Sequence, residues 1–196
     1  INKMRWIYSC GKQMLDRVIA AYGQEKGLRY TLFRPFNWIG PRLDTFRDAE
    51  ERTARSITQM VFDILSGRPI TLVNGGEQHR SFTYVSDGID ALLAILANEQ
   101  ASNGRIFNIG NPANNASIKE LAHLVIETMK GIPSFRKAAE DASITIMPAE
   151  QYYGNGYDDM KNRVPSIKAI EKALGWVPKV SLREAVERTI HGYVEG

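Results

Sequence analysis

The sequence predicts an α/β fold with a parallel sheet, and three observations carry this. An amphipathic helix over 9–25 passes through Gly27 into a strand over 29–34, which is half of a βαβ unit. Further along, segments with apolar residues at three- and four-residue spacing alternate with short β-branched and aromatic runs. The 196 residues are 43% hydrophobic, enough for one domain or for one domain and part of another.

The first helix carries the most chemistry. Tyr8 and Lys12 are four residues apart, which puts them on one helix face, about 6 Å apart along the axis. The stripe continues through Leu15, Val18, Ile19 and Tyr22, so Lys12 is expected on the side that packs inward. A phenol ionises near pH 10 and is a poor base at neutrality; a fixed ammonium beside it favours the phenolate. Such a tyrosine can take the proton from a sugar hydroxyl while a hydride leaves the same carbon. The spacing recurs at Tyr22/Lys26 and Tyr157/Lys161, but only the first pair opens a long amphipathic helix followed by a strand.

The remaining elements follow in order. The strand over 29–34 ends at Arg34-Pro35-Phe36-Asn37, the edge at which open α/β sheets bind ligands. Asn37 there is either a sugar or nucleotide contact or a turn residue. Residues 44–52 are dense in charge and read as an exposed loop. A second amphipathic helix over 53–66 turns Ile57, Met60, Val61 and Ile64 inward, carries Arg55 and Gln59 on one face, and ends at Gly67. A strand over 69–73 leads into the turn Asn74-Gly75-Gly76, and 80–85 returns as a second strand. Arg80, just past that turn, suits a phosphate or is a surface arginine. A helix over 87–98 is expected to bury Ile89, Leu92, Leu93 and Leu96. A strand over 105–109 follows, then a capping box from Ser117 to Glu120 that opens a helix through Met129. Residues 131–142 read as irregular and 143–148 as a strand. Residues 152–157 form a loop loaded with tyrosine and glycine, and Pro165 stops a helix after Arg163. A short helix over 166–174 ends at Gly175. Ser181 and Glu184 cap the last helix, whose inward face is Leu182, Ala185, Val186, Ile190 and Tyr193.

Several classes of function are disfavoured. The net charge is +3 with acids and bases interspersed, which argues against nucleic acid as a partner. No apolar run approaches the roughly 18 residues of a membrane span, so no membrane role is expected. His79, His123 and His191 lack metal-ligand spacing, and no metal is expected. The single cysteine, Cys10, excludes an internal disulfide; with no visible secretory pattern this predicts a cytoplasmic protein.

Five blocks, taken together, carry a resemblance. They are Tyr8-Ser9-x-x-Lys12; Arg34-Pro35-Phe36-Asn37-x-x-Gly40-Pro41; Gly75-Gly76-x-Gln78-x-Arg80-Ser81-Phe82-Thr83-Tyr84-Val85-x-Asp87; Asn108-Ile109-Gly110; and Leu174-Gly175-Trp176-x-Pro178. In this order they resemble the later part of an extended short-chain dehydrogenase/reductase of the NAD-dependent epimerase/dehydratase family acting on nucleotide sugars. The stretches Ile1-Asn2-Lys3-x-Arg5-Trp6-Ile7-Tyr8-Ser9, Phe33 to Trp38 and Tyr152-Tyr153-Gly154-x-Gly156-Tyr157 narrow it further. They are similar to bacterial UDP-glucuronic acid decarboxylases, including the dehydrogenase half of bifunctional polymyxin-resistance enzymes that build 4-amino-4-deoxy-arabinose for lipid A.

The resemblance implies a fold, a reaction and a set of residues. The fold is the C-terminal part of a Rossmann-like doubly wound parallel sheet plus a smaller mixed α/β substrate-binding lobe. Residues 1–50 would hold the last helix and strand of the core. Residues 51–196 would hold the lobe, with a returning core strand near 81–110. The reaction is NAD-dependent oxidation of UDP-glucuronate at C4, then loss of the C6 carboxylate as CO2 to leave a UDP-4-keto-pentose. Tyr8 would be the base, Lys12 its partner and the holder of the nicotinamide ribose, and Pro35 a further cofactor contact. Arg163 would assist decarboxylation. Arg5, Asn37, Arg55, Thr71, Arg80 and Tyr157 would contact the UDP-sugar, with Thr71 standing where the relatives are expected to carry a lysine. No Gly-x-x-Gly-x-x-Gly opens a helix in this chain, and residue 1 is Ile, so a C-terminal portion of a longer protein, homo-oligomeric at full length, is expected. The alternatives are a UDP-sugar epimerase or dehydratase of the same fold, or an inactive truncated module that binds nucleotide sugars.

Overall fold

The computed structural model describes residues 6–154 and 160–194; Arg5 and Tyr157 lie outside the described residues. The elements are, in order, α1 (Trp6–Lys26), β1 (Thr31–Pro35), β2 (Trp38–Ile39), α2 (Phe46–Glu50), α3 (Ser56–Leu65), β3 (Ile70–Val73), a 3-10 turn (Asn74–Gly76), β4 (His79–Ser81) and β5 (Thr83–Tyr84). They continue with α4 (Val85–Ala97), α5 (Glu99–Ser102), β6 (Arg105–Ile109), β7 (Asn115–Ser117), α6 (Ile118–Lys130), α7 (Arg136–Glu140) and β8 (Ile144–Met147). The last are α8 (Ala149–Tyr153), β9 (Asn162–Arg163), α9 (Lys168–Leu174) and α10 (Leu182–His191).

The α/β class and its parallel pairing are observed. β1 pairs with β6 in parallel, with Phe33 opposite Phe107. β2 pairs with β5, and β3 with β8, also in parallel. The fourth sheet is mixed: β4 lies between antiparallel β7 and parallel β9. The larger core gathers the inward faces of α3, α6 and α10 with β3, around Ile57, Val61, Leu72, Leu121, Val125 and Ile190. A smaller core joins α4, β6 and α9 through Ala91, Phe107, Ile109, Ile170 and Trp176. Among the described residues no helix is long and apolar enough to cross a membrane, and no cluster of His, Cys, Asp and Glu suits a metal.

Several expectations are corrected. The stripe of α1 is not buried: Leu15, Val18 and Tyr22 stay exposed, and so does Lys12. The helix is tied to β1 by Asp16 and Arg34, 2.6 Å apart, and by Tyr30 packed against Gly23, rather than by an apolar face. Residues 44–52 are not all loop, because Thr45 and Asp48 form a capping box that starts α2 and Ala49 is fully buried. β3 and the following strand make no hairpin. The turn at Asn74–Gly76 has left-handed residues throughout, and it sends β4 to a different sheet. Phe82, buried, splits the expected strand into β4 and β5. On α4 the inward face is Asp87, Gly88, Ala91 and Ile95, while Ile89, Leu93 and Leu96 are exposed and Leu92 is half-buried. That helix is apolar on most sides, so periodicity did not choose its face; the small Gly88 and Ala91 did, by letting Trp38 and the β6 core approach. A Cβ on Gly88 would stand 2.6 Å from the Trp38 ring. Residues 131–142 contain α7, with Ala139 buried against the larger core.

Other expectations hold. The Ser117–Glu120 capping box is formed, and the backbone N–H and hydroxyl of Ser117 hold the Glu120 carboxyl below its usual range. Ile57, Met60, Val61 and Ile64 face the core on α3, and Gly67 and Gly175 take left-handed conformations at helix ends.

Asp87 joins the two cores. Its carboxylate accepts the backbone N–H groups of Lys179 and Val180, each at 3.1 Å, while its carbonyl accepts the Trp176 indole at 3.2 Å. Asp87→Ala leaves two buried donors without a partner and is expected to cost about 3 kcal/mol. Urea denaturation measures this; a loss under ~0.5 kcal/mol, the scale of a surface substitution, would show that water replaces the carboxylate.

Candidate active site

The loop after β1 is built to present polar groups. Asn37 sits at φ 37, a left-handed conformation that asparagine tolerates better than most residues. Its amide donates to the Ser81 carbonyl at 2.9 Å, and its backbone carbonyl accepts the Thr83 N–H at 3.2 Å. The Thr83 hydroxyl donates to the Phe36 carbonyl at 2.9 Å. The side-chain oxygen of Asn37 is left for Arg163, whose guanidinium donates to it at 3.0 Å and lies 5.8 Å from the Phe36 ring centroid. Arg163 reaches this point because β9 pairs with β4, where it stands opposite Arg80. Two strands of unrelated sequence position thus bring two guanidinium-bearing residues side by side.

Asn37 lines a cleft of about 380 Å³ together with Arg55, Thr71 and Arg80. Arg55 is the N-cap residue of α3, and its guanidinium donates to the Leu43 carbonyl at 3.2 Å. Thr71 is half-buried on β3. Arg80 donates to the carbonyls of His79 and Met160, at 2.7 and 2.8 Å. One wall is aromatic: Tyr152 and Tyr153 meet edge to face with centroids 4.7 Å apart, on α8, whose first N–H donates to Asn74.

The charge balance of the cleft is positive. Arg52, Arg55 and Arg80 line it, and among the described residues lining it Asp63 is the single carboxylate. Asp63 is almost fully buried and already committed, to Arg68 at 3.0 Å and to the Gln59 amide at 3.2 Å. Arg52 and Asp63 were not singled out by sequence reasoning. The readable signal for Asp63 was an acid in the apolar stripe of α3, with Gln59 four residues before it and Arg68 five after.

Of the residues proposed from the sequence, the cleft therefore gathers Asn37, Arg55, Thr71 and Arg80, with Arg163 bonded to its wall. Tyr8, Lys12 and Pro35 do not line it. Tyr8 and Lys12 share the first turns of α1, with the Lys12 ammonium 5.5 Å from the Tyr8 ring centroid and both side chains open to solvent. Pro35 closes β1 opposite Ile109, at the carboxyl end of the strand. The arrangement offers a solvent-open phenol beside an ammonium, and separately a cationic cleft with an aromatic wall, suited to an anion carrying a planar ring.

The sequence profile of the NAD dependent epimerase/dehydratase family matches residues 2–110. The PbgP3 protein of Burkholderia pseudomallei is 40% identical in sequence; the match covers 98% of this chain and 54% of that one, with a TM-score of 0.83. Two further structures share the fold. A UDP-glucose 4-epimerase of Thermotoga maritima, solved with UDP-glucose, is 24% identical over 96% of this chain and 53% of its own, with a TM-score of 0.76. The dTDP-glucose 4,6-dehydratase DesIV of Streptomyces venezuelae, solved with NAD, is 23% identical over 96% and 51%, also at 0.76. The chain spans about half the length of each of these structures.

Proposed function

The chain belongs to the NAD dependent epimerase/dehydratase family, and from that premise we propose that its protein is an NAD-dependent UDP-glucuronate decarboxylase. The observation that carries this reading is the cationic cleft with Arg163 bonded to Asn37 at its wall. It suits an anionic sugar nucleotide, with the diphosphate toward Arg55 and Arg80 and the base toward the tyrosine wall. Arg5, Thr71 and Tyr157 complete the proposed substrate contacts.

The residues at α1 fit the cofactor. Tyr8 and Lys12 are open to solvent on one helix face, and Pro35 ends β1 at the carboxyl edge where dinucleotides bind in open α/β sheets. Tyr8, Lys12 and Pro35 would hold NAD, which would supply the hydride acceptor for C4 of the sugar. Tyr8, acting as the phenolate beside the Lys12 ammonium, takes the C4 hydroxyl proton and is left as the neutral phenol, and Lys12 also donates to the ribose. The ketone so formed at C4 is β to the C6 carboxylate. The C5–C6 bond then breaks, its electrons pass to the ketone oxygen, CO2 leaves, and C5 is protonated. Arg163 stabilises the negative charge on that oxygen as it grows. The exposed stripe of Leu15, Val18 and Tyr22 on α1 suits pairing with a second copy, in keeping with a homo-oligomer. We place the protein in the cytoplasm, where UDP-sugars and NAD are available to it.

Mass spectrometry of the product from UDP-glucuronate and NAD with the full-length protein tests this. The expected product is lighter by CO2 and two hydrogens. A product of unchanged mass would make the protein an epimerase, and one lighter by water a dehydratase; either overturns the reading.

A further inference from the structure

Arg55 is held by a network that begins far away in the chain. As the N-cap residue of α3 it has no side-chain oxygen to offer the first turn. Asp44 supplies a carboxylate instead. Its Oδ2 accepts the Arg55 backbone N–H at 3.1 Å, and its Oδ1 lies 3.4 Å from the Arg55 guanidinium. The Asp44 side chain is only 13% exposed, against 52% for Arg55, so the anchor is enclosed while the cation stays open to the cleft. The Thr58 hydroxyl donates to the same Oδ2 at 3.3 Å. Having one proton, Thr58 must then accept from the Tyr193 hydroxyl, 2.7 Å away. Tyr193 follows α10 and stacks on Phe46 of α2 with centroids 4.9 Å apart. Burial, then the nearby Asp44 charge, push its phenol above the usual range despite the Thr58 bond, which keeps it a proton donor at neutral pH.

We propose that Asp44 is the positioning residue for Arg55, and that Tyr193, acting through Thr58, holds Asp44 in place, so that the C-terminal turn sets the anion-binding edge of the cleft. The carboxylate fixes both the backbone at which the Arg55 side chain starts and the guanidinium at which it ends. A flexible arginine so held loses less freedom when it binds a phosphate. The proposal rests on Arg55 contacting the substrate diphosphate.

Steady-state kinetics of the full-length protein with UDP-glucuronate at saturating NAD test it. Asp44→Asn keeps the shape and removes the charge; KM is expected to rise ~10-fold with kcat within about twofold, the pattern of lost uniform binding. Tyr193→Phe keeps the ring stack and is expected to raise KM by ~3-fold, again without a change in kcat. Arg55→Ala raises KM on its own, and adding Asp44→Asn to it is expected to change KM by less than about twofold, because the positioned group is gone. If Arg55→Ala raises KM but Asp44→Asn does not, or if the two effects multiply in the double variant, the positioning role is wrong. If Arg55→Ala leaves KM unchanged, the substrate assignment of Arg55 fails and the proposal falls with it.

Discussion

Tyr8→Phe is expected to slow the oxidation of UDP-glucuronate by roughly 10³-fold, equivalent to ~4 kcal/mol of transition-state stabilisation. The change removes one oxygen and leaves the ring, so the 5.5 Å contact with the Lys12 ammonium and the shape of α1 are retained. What is lost is the group proposed to accept the C4 hydroxyl proton as the hydride departs. Without it the C4 hydroxyl must give its proton to water as the hydride departs. Tyr8 does not line the cationic cleft proposed to hold the diphosphate and base, so affinity for UDP alone should stay within about twofold of the parent value. Near-ultraviolet absorbance of the reduced nicotinamide follows the rate, and calorimetry with UDP follows binding. Turnover at the parent rate would remove Tyr8 from the mechanism.

Arg163→Ala should act on the other half of the reaction. Removing a donor aimed at a developing oxyanion costs roughly 10²–10³-fold. Release of CO2 is expected to fall by that factor while C4 oxidation continues, so the keto-acid accumulates. Arg163 also donates to Asn37 at 3.0 Å and stands opposite Arg80, so its loss loosens the cleft wall as well. Arg163→Lys separates the two effects. It keeps the charge but not the planar fork, and partial recovery of CO2 release with weaker substrate binding is expected. Unchanged CO2 release in Arg163→Ala would refute the assignment.

The local parts of the fold were legible because they depend on neighbours in sequence. The Ser117–Glu120 box, the inward face of α3 and the glycine ends at Gly67 and Gly175 are set within a few residues. Faces were misread where periodicity was not decisive. α4 has apolar residues nearly all round, and the choice fell to the size of Gly88 and Ala91 against Trp38 and Phe107. α1 has a clear stripe, yet among the described residues nothing covers it. The strand pairing was misread because a turn of three left-handed residues looks like a hairpin in sequence but redirects the chain.

By itself the sequence determined the α/β class, the Tyr8–Lys12 pair and the family, since each lies in the local order and spacing of residue types. Only the tertiary structure decided which residues share a cleft. Asn37, Arg55, Thr71 and Arg80 come from different parts of the chain, and Arg163 is brought to Asn37 at the wall because β9 reaches β4 from about eighty residues away in sequence. It also decided which charges meet: Asp63 is paired with Arg68, and Asp44 with Arg55. Pairings of this kind depend on distance in space, which burial of the two cores imposes and no local pattern encodes.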